Sequence, residues 1–262
     1  MTENYRGRID PTQEEWKNSK WTELLKERYR IASLFAEGKI ILDSCCGTGF
    51  GTMNFIVPKS RFIVGIDISE SAKENYGKSE KYEFSTMDVR DLKLNSESFD
   101  LVLSLDAVEH FSKEDGIRYL SGINNVCKKD GLIIGTTPLV IDDSLIPAYL
   151  EWNKFHLFMY TKRSLEKTLH EFFPYVKIYE IYSQICPYFL FLCGRAKLGD
   201  VAQNEDKIQK FIFENKKVFK RSQGDNYLMW ARMLLHKNKL FKAGYLVFLA
   251  VLIKLESFLK CK

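Results

Sequence analysis

Leu42-Asp43-Ser44-Cys45-Cys46-Gly47-Thr48-Gly49 is the stretch that decides how this chain is read. An apolar run, Lys39-Ile40-Ile41-Leu42-Asp43, leads into it and reads as a short strand. A helix is expected from about Gly51 to Val57, stopped by Pro58. A glycine turn between a strand and a helix lets backbone approach a ligand closely, and the helix N-terminus adds unpaired N–H groups. The turn departs from Gly-x-Gly-x-x-Gly: Cys45 stands where a first glycine belongs, and Thr52 follows Gly51. That argues against a dinucleotide, which needs the tight pyrophosphate cradle.

Outward from the turn, strands and helices alternate. Residues 1–20 are polar and read as loop. Apolar positions from Trp21 to Phe35 recur at helical spacing until Gly38. After the turn, the pattern gives strands at 61–66, 82–85, 99–105 and 132–136, with helices at 69–76 and 113–126. Lys129-Asp130-Gly131 reads as a turn, 138–160 as irregular and aromatic, and 161–172 as a helix ended by Phe173-Pro174. A last strand pair is expected at 176–182 and 188–193. Phe99–Leu105 is continuously apolar, as in a strand buried on both faces. The expected architecture is α/β, a doubly wound, mostly parallel sheet.

Three acids end three successive strands. Asp43 closes the first. Asp67 closes the second, where a carboxylate can accept from both hydroxyls of a ribose. Asp88 closes the third and can accept from an adenine amino group, with Ile68 and Val89 sandwiching the purine. The bland alternative for each is a helix cap.

These residues resemble the class I S-adenosylmethionine-dependent methyltransferases. Leu42–Gly49 is similar to the family's glycine-rich turn, and Val64-Gly65-Ile66-Asp67-Ile68-Ser69 to its ribose-binding segment. Phe99–Ser104 with Val108-Glu109-His110 resembles its fourth strand, and Lys128-Lys129-Asp130-Gly131-Leu132 the turn before its fifth. Arg28-Tyr29-Arg30 and Asn153-Lys154-Phe155-His156 are similar to the methyltransferases of bacterial surface-glycan clusters, with Lys154 where those carry proline. The resemblance implies a Rossmann-like sheet of seven strands in the order 3-2-1-4-5-7-6, with the last strand antiparallel. It implies S-adenosylmethionine as cofactor and S-adenosylhomocysteine as product. Arg28 or Tyr29 is expected at the methionine carboxylate. Asp43, Ser44, Cys45, Gly47, Thr48, Gly49, Asp67, Ile68, Asp88, Val89 and Leu105 complete the expected cofactor wall.

Methyl transfer from a sulfonium is an in-line displacement, so the protein must align the acceptor and exclude water. A sugar or alcohol hydroxyl also needs a base. His156, in the aromatic segment Trp152–Tyr160, is the first candidate, and His110 the second. The alternatives are a histidine that holds the segment closed and a Glu109-His110 pair lining the pocket floor.

Composition narrows the rest. The chain has 262 residues, 45% hydrophobic and 14% aromatic, enough for a core and against a disordered or disulfide-stapled chain. Residues 1–200 balance to −3 and 201–262 to +8, so the main domain is a poor nucleic-acid binder. No Asn/Asp-Pro-Pro-Tyr/Phe motif follows the fourth strand, which also disfavours nucleic-acid methylation. Six cysteines without a CxxC pair suit a reducing cytoplasm, and no metal site is expected. The N-terminus lacks a signal-peptide core. The expected division is a methyltransferase domain over 1–195, a linker over 196–224 and a helical, apolar and basic appendage over 225–262. Its 11-residue apolar run at 243–253 is too short to span a bilayer. It suits packing on protein, a homodimer, or peripheral contact with an anionic membrane. Three functions stay open: O-methylation of a sugar or glycan precursor, O-methylation of a quinone or other lipophilic aromatic, and a non-catalytic cofactor-binding regulator.

Overall fold

The computed structural model describes residues 9–70, 73, 79–183, 186–219 and 231. Its sheet has seven strands: β1 (Ile40–Ser44), β2 (Phe62–Asp67), β3 (Tyr82–Thr86), β4 (Phe99–Leu105), β5 (Cys127–Pro138), β6 (Tyr175–Ile181) and β7 (Tyr188–Gly194). Their spatial order is β3-β2-β1-β4-β5-β7-β6, as the resemblance implies. All pairs are parallel except those of β7, which runs antiparallel to both β5 and β6. The parallel strands therefore point their C-terminal ends to one rim, where ligands of such sheets bind.

Two-residue periodicity splits the strands between two layers. On β4, Leu101, Leu103 and Leu105 face one core cluster, while Phe99 and Val102 face the other. On β7, Tyr188, Leu190 and Leu192 face one side, and Phe189, Phe191 and Cys193 the other. All of these are buried. Truncating one such leucine to alanine costs about 2–5 kcal/mol.

Helices cover both faces: α1 (Glu14–Lys17), α2 (Lys20–Ala32), α3 (Thr52–Ile56, wound as a π-helix), α4 (Lys113–Val126), α5 (Ile146–Trp152), α6 (Lys162–His170) and α7 (Gly199–Phe219). Their starts are written in side chains. Ser19 Oγ accepts the Thr22 N–H (3.1 Å) before α2, and Ser112 Oγ accepts the Asp115 N–H (3.1 Å) before α4. Thr161 and Ser164 form a reciprocal capping box at α6. Each cap contributes about 1 kcal/mol.

Four local expectations change. Residues 14–17 are helical rather than loop. Lys129-Asp130-Gly131 lies within β5, beside a register shift between Phe99 and Leu101. Residues 143–152 are a 3-10 turn and α5 rather than irregular chain, with a proline in the first helical turn. The stretch 196–224, read as a linker, holds α7, whose Val201, Ile208 and Ile212 are buried in the core. The helix expected at 69–76 lies largely outside the described residues, and so does the appendage over 225–262 apart from Ala231. Among the described residues, no helix is long and apolar enough to cross a membrane.

Candidate active site

At the sheet's C-terminal rim, α2, the turn after β1, the ends of β2 and β4, and residues 153–157 enclose one cavity of about 850 Å³. Ordinary small-ligand sites span roughly 300–1,000 Å³. The turn bends through three left-handed residues: Cys45 (φ +62°), Gly47 (φ +61°) and Gly49 (φ +74°). Cys45 is the exception among them, because its Cβ makes this conformation costly.

Asp67 is joined to the turn. Its Oδ2 accepts the Gly47 N–H (2.8 Å) and its Oδ1 accepts the Ser69 N–H (3.0 Å). The Cys46 N–H donates to the Ile66 carbonyl (2.9 Å), which pins the turn to the end of β2. The carboxylate is thus oriented by two backbone donors. Ile68, 65% exposed and just past β2, and buried Val89, just past β3, both contribute apolar lining to the cavity. Asp88 both caps and lines: Oδ1 accepts the Arg90 N–H (2.9 Å), and the carboxylate is chelated by the Arg90 guanidinium, which holds its pKa down. Arg90 also reaches Asp115 (3.1 Å). Sequence reasoning missed Arg90, although its place two residues after Asp88 is the signal.

Cys45, Gly47, Thr48 and Leu105 line the same cavity, with Cys46 beside them. Asp43, Ser44 and Gly49 do not line it. Asp43 lies buried behind the turn, where its Oδ2 accepts from the Tyr29 hydroxyl (3.0 Å) and the Thr52 hydroxyl (2.5 Å). Burial is the largest effect on its carboxyl and pushes the pKa up to about 7. The Ser44 hydroxyl donates to the Leu103 carbonyl (2.6 Å) and sits 2.6 Å from the Tyr119 hydroxyl, tying β1 to β4 and α4. The Gly49 N–H closes the turn onto the Cys46 carbonyl (2.9 Å).

Arg28 and Tyr29 reach the cavity from α2. Tyr29 lies with its ring where a Cβ on Gly51 would have to be, only 2.1 Å away. The Arg28 guanidinium is buried, stacked 4.9 Å over the Tyr188 ring and ion-paired with Asp106. Asp106 is another functional-site residue absent from the sequence expectations. Its signal is its position, an acid just past β4.

Glu109, His110 and His156 come together on the facing wall. Their ligand atoms all lie within 4.8 Å of one another. The Leu157 N–H donates to the Glu109 carbonyl (2.7 Å), bringing the 153–157 segment against the end of β4. The two imidazoles meet edge to face at 5.0 Å. His110 Nδ1 lies 2.9 Å from the Phe155 carbonyl, which can only accept, so Nδ1 is the donor of this bond. Asn153 Oδ1 accepts the Phe155 N–H (3.1 Å), which turns Asn153 Nδ2 toward His156 Nε2 (2.9 Å). His156 therefore accepts at Nε2 and carries its proton on Nδ1, which has no hydrogen-bond partner among the described residues. Burial, then the neighbouring His110 and Arg28, lower its pKa to about 4, so the ring stays neutral. Glu109 is 1% exposed, and neither carboxyl oxygen has a hydrogen-bond partner among the described residues. Burial raises its pKa. Phe158 and Tyr160 of the aromatic segment pack into the core, whereas Phe155 stays at the cavity rim.

Residues 41–131 match the family model described as a methyltransferase domain. The chain carries an S-adenosylmethionine-dependent methyltransferase domain. No curated protein matches it in sequence. Among solved structures, the methyltransferase fold recurs in the 1,6-didemethyltoxoflavin-N1-methyltransferase of Burkholderia thailandensis, solved with S-adenosylhomocysteine and 1,6-didemethyltoxoflavin (TM-score 0.51, 18% identity, 68% of this chain and 81% of that one). It also recurs in an S-adenosylmethionine-dependent methyltransferase of Methanosarcina mazei (TM-score 0.50, 15% identity, 64% and 97%). The [4+2]-cyclase SpnF is similar to the same extent (TM-score 0.53, 16% identity, 70% and 83%), so the fold alone does not select the reaction.

The methyltransferase's own residues fit the cofactor. A Cβ on Gly47 meets nothing within 4 Å, so its cavity side is open. The fixed Asp67 carboxylate and the apolar pair Ile68 and Val89 supply acceptor and walls for a nucleoside.

Proposed function

We propose that this methyltransferase acts on a hydroxyl of a sugar or glycan precursor. The observation that carries the reading is the meeting of two unlike walls in one cavity, the Gly47–Asp67 turn on one side and Glu109, His110 and His156 on the other. When bound, S-adenosylmethionine supplies an electrophilic methyl group on a sulfonium. Asp67 orients the nucleoside end, Asp88 accepts from the base, and Ile68 and Val89 flank it. Arg28 or Tyr29 meets the methionine end. The acceptor hydroxyl sits against the Glu109–His110–His156 cluster, where its proton is removed. His156 and His110 present ring nitrogens to that step.

Asn153 and His156 support the surface-glycan subtype, since the one orients the other. A second reading, a quinone or other lipophilic aromatic acceptor, is favoured by Phe155 and Leu157, which are 45% and 57% exposed at the cavity rim. The third is a cofactor-binding regulator without turnover. In all three the protein works in the cytoplasm, with residues 225–262 contacting a second copy or an anionic membrane surface. Incubation with methyl-labelled cofactor separates them. Label in sugar nucleotides or glycan intermediates supports the first, label in quinol analogues replaces it with the second, and bound cofactor without label transfer leaves only the third.

A further inference from the structure

We infer that Glu109, His110 and His156 form a binding site for a first-row divalent cation that holds the acceptor's oxygen. The inference deepens the proposed reaction and rests on the acceptor binding against this wall. Three observations carry it. Two nitrogens and one carboxylate oxygen already lie within 4.8 Å of one another. A cation with bonds of about 2.1 Å holds tetrahedral ligand atoms about 3.4 Å apart, so side-chain rotations on the order of an ångström close the set. Glu109 is buried with both carboxyl oxygens unpartnered. Arg28 lies close enough to pull the Glu109 pKa down but makes its ion pair with Asp106, so among the described residues Glu109 has no ion pair of its own. Finally, the His110 ring is fixed by its Nδ1–H bond to the Phe155 carbonyl. Metal-binding histidines are oriented by such bonds, which fix the ring plane and the direction of the other nitrogen.

One carboxylate and two imidazoles suit zinc, manganese or iron(II) better than calcium or magnesium, which prefer all-oxygen shells. His156 ligates through Nδ1, the nitrogen now without a partner. Its proton then resides on Nε2, and the Asn153 carboxamide turns so that Oδ1 accepts it. Three protein ligands leave a position for the acceptor oxygen. Coordination lowers the hydroxyl's pKa: the O–H bond breaks, the oxygen stays on the ion, and the proton leaves to water at the cavity mouth.

Binding of Mn²⁺ to the full-length protein, read from loss of the free-ion electron paramagnetic resonance signal, tests the site. Wild type is expected to bind one ion. Glu109→Gln and His156→Ala are expected to weaken binding at least tenfold, and Asn153→Asp, which accepts from Nε2–H more strongly, to tighten it severalfold. Calorimetry with S-adenosylhomocysteine on each variant establishes that the cofactor half of the cavity is folded. Wild type that binds S-adenosylhomocysteine but no Mn²⁺ overturns the site while leaving the methyltransferase reading intact. Equal Mn²⁺ binding by wild type, Glu109→Gln and His156→Ala also overturns it, because the ion is then held elsewhere. Should a substituted protein lose S-adenosylhomocysteine binding, Asn153→Asp decides: unchanged or weaker Mn²⁺ affinity contradicts the inference.

Discussion

The Leu157 N–H donates to the carbonyl oxygen of Glu109 over 2.7 Å, with the Phe158 N–H sharing that acceptor at 3.2 Å. This contact joins positions 48 residues apart at the cavity wall that carries His110 and His156. It is why His156, carried by the segment after β5, stands beside His110, carried by the end of β4. Two histidines from separate loops are thus brought together by backbone hydrogen bonds.

His156→Ala removes a polar group from this wall without touching the cofactor turn. Turnover should fall about 100-fold or more, with cofactor affinity near wild type. Steady-state rates with calorimetry check this, and unchanged turnover removes His156 from the reaction.

The left-handed Cys45 sets a ranking. Glycine relieves the strain of a Cβ at this φ, at the cost of a more flexible unfolded chain, whereas a β-branched side chain makes the strain worse. Unfolding free energies should run Cys45→Gly at or above wild type, with Cys45→Val lower by about 1–2 kcal/mol. Valine melting at or above wild type contradicts the geometry of the turn.

Gly51 is where the Tyr29 ring needs room. An added Cβ would lie 2.1 Å from the ring, so Gly51→Ala must displace Tyr29 and its bond to Asp43. The cost should be about 1–3 kcal/mol in denaturant melts. In a Tyr29→Leu background the same alanine should cost much less, because the two changes share one contact. Additive costs in the double variant would show that the ring is not the obstacle.

Asp43 gives a pH signature. Its carboxyl is raised from 3.8 to about 7 by burial, so the folded state holds its proton more tightly than the unfolded state. The stability this proton contributes is complete below about pH 4 and is lost as pH rises through 7. The span is a few kcal/mol at most, since each tenfold difference in proton affinity is worth about 1.4 kcal/mol. Without cofactor, wild type should lose stability from pH 5 to 8 relative to Asp43→Asn. Parallel stability profiles for the two proteins contradict the assignment.

Fold and site were not equally legible in the sequence. The sheet was legible because each parallel strand is a short apolar run ended by an acid or a glycine, as in Ile40–Ser44 and Phe62–Asp67. Helix α7 was not, because its buried Val201, Ile208 and Ile212 are diluted by charged neighbours, so the polar average hides a narrow apolar stripe. The cofactor side was legible because the turn, Asp67 and Asp88 lie at strand ends, where position alone predicts exposure to ligand. The capture of Asp88 by Arg90 was hidden, since side-chain pairing has no periodic signal. The unpartnered carboxyl of Glu109 was hidden for a different reason: its surroundings come from residues 153–157, and only the folded chain brings those against β4.

Calorimetric titration of purified protein with S-adenosylmethionine and S-adenosylhomocysteine, wild type against Asp67→Ala, tests the central claim most directly. Saturable heat from wild type, with affinity reduced at least tenfold in Asp67→Ala, is the predicted result. No heat from wild type, or equal affinity in both proteins, would contradict a cofactor site at the ends of β1 and β2.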